Sequence, residues 1–196
     1  MNLPSSVPNA PSLISFIFPG LILFSSFLLY EADWLERLGL ILTIVIIASG
    51  WTSYGLVGES TYNDVLFIGD VGLIASYVVL IRTSAELNYS LSSIQALFAI
   101  SSAIFFFYSV WGWGALAFIH GKAASSRRHF LTFVVLNLAI SATFLLVSVP
   151  YLGRFVPIPA LIVLYFATWL GVLILWHFGR IRSAVKEVYS GARKSQ

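Results

Sequence analysis

From Leu91 to Ile119 the chain reads LSSIQALFAISSAIFFFYSVWGWGALAFI, without one Asp, Glu, Lys, Arg or His. As a single helix this run of roughly 29 residues would extend on the order of 43 Å, past the ~30 Å hydrocarbon core of a bilayer. A helix that is apolar along its whole length and on every side needs either a large protein interior or lipid around it. With 196 residues in all, the chain has no such interior to offer. The first half of the segment carries Ser92, Ala96, Ala99 and Ala103 at helical spacing, small residues suited to close helix contact. The second half is a block of rings, Phe105 to Tyr108 and then Trp111 and Trp113. Such a block packs between helices or against lipid, or else floors a pocket or gate. Gly112 and Gly114 flank Trp113 and predict a local break there.

Composition points the same way. The chain is 59% hydrophobic and 10% charged, where soluble domains carry about 25% charged residues. Too few charges are present to cover a water-facing surface. The expected fold is therefore all-α, a polytopic integral membrane protein built as one six-helix bundle. Cysteine is absent, which excludes disulfides, thiolate-bound iron–sulfur clusters and a thiol nucleophile. The net charge is +3, but no Lys/Arg stripe with interleaved aromatics is present, so a nucleic-acid partner is not expected.

In chain order, residues 1–11 form a short polar segment with three prolines and none of the positive charge of a secretory signal. The spans are expected at about 12–30, 38–57, 65–81, 91–119, 130–149 and 160–178, within a transmembrane domain of 12–179. Pro19-Gly20 predicts a kink in the first. Glu31 to Arg37 reads as a charged link with Trp34 as an interfacial anchor. A basic tail, 180–196, follows the last span. Arg37, Arg82 and Arg154 lie in the links after spans one, three and five. All other Lys and Arg lie in the loop after span four or in the tail. By the positive-inside tendency both termini are cytoplasmic, in a cell membrane. Dividing the chain after span three gives two halves of three spans with no residue-level match between them.

Asp70 is the sharpest functional candidate. A carboxylate within a span is costly, ~2.5–3.5 kcal/mol on insertion scales, and such residues usually mark ion or proton paths. Asp64 and Glu59 precede it, and Trp51, Ser53 and Tyr54 end span two at the same membrane face. These residues are the expected lining of a polar mouth. The structural alternative is that Asp70 is hydrated one turn below the interface and only positions its helix. His120, His129 and His177 approach the same face and invite a metal or haem reading, although no ligand spacing such as His-x-x-x-His supports it. Lys122, Arg127, Arg128, Arg180, Arg182 and Lys186 are suited to anionic lipid headgroups.

No Walker motif, potassium-filter sequence, serine elbow or in-span lysine occurs, so no enzyme and no cofactor is implied. The expected function is passage of an ion, proton or small solute through a small channel or transporter. The expected partners are the bilayer and either further copies of the chain or other membrane subunits. Two alternatives stand beside it: a non-catalytic scaffold subunit of a larger membrane complex, and a haem- or metal-binding redox subunit.

Overall fold

The computed structural model describes residues 10–54, 63–116, 124–149 and 155–178. They form six helices: α1 Ala10–Leu28, α2 Trp34–Tyr54, α3 Asp64–Ala85, α4 Leu91–Leu116, α5 Ala124–Ser148 and α6 Ile158–Phe178. Five of them, α2 to α6, are long and apolar enough to cross a bilayer, and α1 adds a shorter apolar stretch over Phe16–Leu28 among the described residues. Among the described residues the fold is all-helical, and its long apolar helices are those of a membrane-embedded protein.

Polar residues at the helix starts set the boundaries. Before α2, the backbone N–H groups of Leu35 and Glu36 donate to Asp33 Oδ1, while the Asp33 N–H donates to Glu36 Oε2 at 2.7 Å. This reciprocal pair satisfies donors that a helix start otherwise leaves open. It begins the helix at Trp34, inside the stretch the sequence suggests is a link. Trp34 remains exposed and packs on Tyr89, with ring centroids 5.6 Å apart. At α3, Asn63 Oδ1 accepts from the Leu66 N–H at 2.8 Å. At α4, Ser90 Oγ accepts from the Ser93 N–H.

α4 is the hub, packing against α3 on one side and against α5 and α6 on the other, while α1, α2 and α3 pack among themselves. Half of the α4 span is enclosed by other helices, against 22% of the α5 and α6 spans. The two outer helices therefore leave most of their residues uncovered by the other described helices.

Two expectations for α4 change. The helix runs unbroken through Gly112 and Gly114. Those glycines serve close approach instead: a Cβ on Gly114 would lie 3.1 Å from the Leu66 backbone nitrogen, and one on Gly112 would meet the Phe133 ring at 2.8 Å. The small-residue face is also not the packed one. Ser92, Ala96 and Ala99 are exposed, and the enclosed face carries Ser101, Ser102, Phe105, Ser109 and Gly112.

Candidate functional site

The site begins with two glycines of α3. A Cβ on Gly69 would stand 3.2 Å from the Trp111 backbone, and one on Gly72 would overlap the Phe107 ring. With no side chains there, α4 closes directly onto α3. Asp70, between the two glycines, is left only 1% exposed. A carboxylate so enclosed inside an apolar span demands polar company.

Tyr77 supplies part of it. It lies two helical turns further along α3, on nearly the same face as Asp70, and is fully buried. Its hydroxyl is 2.6 Å from that of Tyr108 on α4. Both phenols are near enough to Asp70 to interact with it electrostatically. α2 leaves room for the pair by presenting Gly50, whose added Cβ would be 2.7 Å from the Tyr77 hydroxyl and 3.1 Å from that of Tyr108. From α1, Phe18 closes the site edge-on against the Tyr77 ring at 6.1 Å. Four helices thus converge on one carboxylate and two phenols.

Beyond Tyr108, away from α3, a cavity of about 100 Å³ lies among α2, α4, α5 and α6. Its wall includes Ser49, Phe105, Tyr108, Phe133, Asn137 and Trp169. Tyr108 therefore belongs to both features, lining the cavity and meeting Tyr77 with its hydroxyl. Close by, α6 is fastened to α4 through Ser101 Oγ, which lies 3.0 Å from the Tyr165 hydroxyl and accepts from Trp169 Nε1 at 3.2 Å.

The other residues singled out from the sequence fall as follows. Asp64 is exposed in the first turn of α3, where a negative charge complements the helix dipole. It lies about 9 Å of helix rise from Asp70 and is not enclosed with it. Trp51 is 41% exposed near the end of α2. The side chains of Ser53, Tyr54, Arg127, Arg128, His129 and His177 lie outside the described residues, although their backbones are helical. Glu59, His120, Lys122, Arg180, Arg182 and Lys186 lie outside them altogether. Among the described residues no group of three or more His, Asp or Glu is placed to hold a metal.

Sequence reasoning does not reach Tyr77 or Asn137. Tyr77 carried a usable signal, since it follows Asp70 by two turns of helix. Tyr108 belongs to the aromatic block for which a pocket floor is one reading, and it lines the cavity with Phe105, whereas Asn137 acquires meaning only once α5 is set against the cavity. Compared with known proteins, the chain matches no family model, no curated protein and no solved structure.

Proposed function

We propose that the chain is a small channel or transporter in the cell membrane that passes a proton, cation or small solute. In this reading α1 completes a six-span bundle, both termini are cytoplasmic, and the protein works as an oligomer. The observation that carries it is the burial of Asp70 inside an apolar span, beside a hydrogen-bonded pair of phenols, with a cavity on the far side of that pair. Asp70 attracts the cation or takes up the proton. The Tyr108 and Tyr77 hydroxyls, each both donor and acceptor, join it to the cavity. Asp64 and Glu59 stand at the cytoplasmic mouth, and the basic residues of the fourth loop and tail hold anionic headgroups.

The test is flux into liposomes holding the purified protein alone, across a range of pH and cations. Wild type conducts; Asp70→Asn abolishes flux, and Tyr108→Phe, which cuts the phenol pair but keeps the ring, lowers it at least tenfold. Equal flux from all three proteins would sink the reading.

One observation favours the scaffold alternative. Among the described residues the small-residue face of α4 around Ser92, Ala96 and Ala99 is exposed, and such faces allow close docking of another helix. A folded protein that conducts nothing, and that carries other subunits with it through mild-detergent purification, would establish this alternative instead.

A further inference from the structure

The cavity has properties that passage through Asp70 does not require. Four of its wall residues are aromatic: Phe105, Tyr108, Phe133 and Trp169. None is Asp, Glu, Lys, Arg or His. Its volume of about 100 Å³ is of the order of a cavity that takes up one benzene ring, ~150 Å³. Leu136 and Leu175 line it and are also exposed on the outer surface, so it opens towards lipid between α5 and α6.

One wall residue has hydrogen-bonding capacity to spare. Asn137 is 6% exposed, and its Nδ2 donates to the Phe133 carbonyl at 2.8 Å. Among the described residues that is the only hydrogen bond its amide makes, which leaves Oδ1 and the second N–H without a described partner on a residue that lines the cavity. Buried amides are rarely left in this state without a further partner. The neighbouring polar groups are already engaged, Tyr108 with Tyr77 and Ser49 elsewhere.

We propose that the cavity is a binding site for a neutral, lipid-soluble ring compound bearing an oxygen, a phenol or quinone headgroup. The ring lies against Phe105, Phe133 and Trp169 in offset or edge-on contact. Its oxygen meets the Asn137 amide, which donates to a quinone carbonyl or accepts from a phenol hydroxyl. Its apolar tail leaves between Leu136 and Leu175 into the bilayer. A charged headgroup is excluded because no counter-charge lines the wall. The proposal does not depend on conduction through Asp70.

The test uses the full-length protein in saturated phosphatidylcholine nanodiscs. 2-Decyl-1,4-benzoquinone is titrated against tryptophan fluorescence, with empty nanodiscs correcting for partition, and 4-decylphenol, decylbenzene and decanol serve as competitors. Wild type shows saturable quenching with one site per chain, and the phenol displaces the quinone. Asn137→Leu weakens binding at least tenfold. Val172→Phe fills the cavity while keeping the amide, and abolishes binding. It decides the matter alone if the Asn137 variant does not fold. Quenching that never saturates would overturn the proposal, as would unchanged binding in Val172→Phe. Decylbenzene competing as well as the phenol would remove the role of the amide, and decanol doing so would remove the ring; either result overturns the site as stated.

Discussion

The two sides of α4 are packed by opposite means. Towards α3 the contact is made by absence: Gly69, Gly72 and Gly114 let one helix backbone settle against the next. Towards α5 and α6 rings carry most of it, with Gly112 alone giving room, beneath the Phe133 ring. Phe98, Phe105, Phe144, Tyr165 and Trp169 interlock with centroid separations from 4.6 to 6.2 Å, and serines tie the helices across the gaps. Backbone-to-backbone packing hides Asp70. Rings are rigid plates that do not fill every corner, and the cavity lies on their side. In lipid, where apolar surface gains nothing by leaving the solvent, both devices rest on van der Waals contact and local hydrogen bonds. The same helix thus meets α3 chiefly through glycines and the cavity side chiefly through rings.

This contrast predicts that the ring side fails on subtraction and the glycine side on addition. The largest effect is expected from Phe144→Ala. Phe144 is 3% exposed and touches Phe98, Phe105 and Tyr165. Deleting a buried ring of this kind costs ~3–5 kcal/mol, to be read from reversible unfolding in mixed micelles.

Next comes a single added methyl on the tight side. Gly69→Ala should destabilise by about 1–3 kcal/mol, because the atoms it meets belong to the Trp111 backbone and cannot turn away. Its control is Gly171→Ala in α6, where nothing lies within 4 Å of the added atom. There the better helix propensity of alanine should stabilise by up to ~1 kcal/mol. If both variants shift the midpoint in the same direction, the distinction between the two faces is wrong.

The smallest effect concerns the serine ties. Ser102 Oγ donates to the Ser141 carbonyl at 2.8 Å, and Ser141 Oγ donates back to the Ser102 carbonyl at 2.9 Å. Because each acceptor is a backbone carbonyl, Ser102→Ala and Ser141→Ala each remove one bond and should each destabilise by ~0.6 kcal/mol, the usual size of such bonds between membrane helices. A loss of several kcal/mol from either variant would mean that the serines, rather than the rings, hold α5 in place.

What could be read from the sequence was whatever depends on one helix at a time. The charge-free run from Leu91 identifies the hub, since exclusion of charge is a property of the segment itself. The start of α2 at Trp34 was not legible in the same way, because the charges from Glu31 to Arg37 read as a link. What depends on a neighbour was not legible. Gly112 and Gly114 suit a break as well as a close contact, and only the position of Phe133 and Leu66 decides between them. The alanines of α4 have the spacing of a packed face, yet the bulkier serine and phenylalanine face is the enclosed one. Asp70 stood out because a carboxylate in a span is conspicuous in any context. Its partners did not, because Tyr108 comes from another helix and Gly50 contributes only by having no side chain.

Asn63 has a mechanical consequence. Its Oδ1 caps α3, while its Nδ2 donates to the Gly114 carbonyl of α4 at 3.2 Å. One amide therefore fixes where α3 starts and ties that end to its neighbour. Sliding α3 along α4 would break this bond and drive the Gly69 and Gly72 seams onto Trp111 and Phe107. The carboxylate is thus held within a pair of helices locked in register, while the cavity lies on the other side of α4, among α2, α5 and α6.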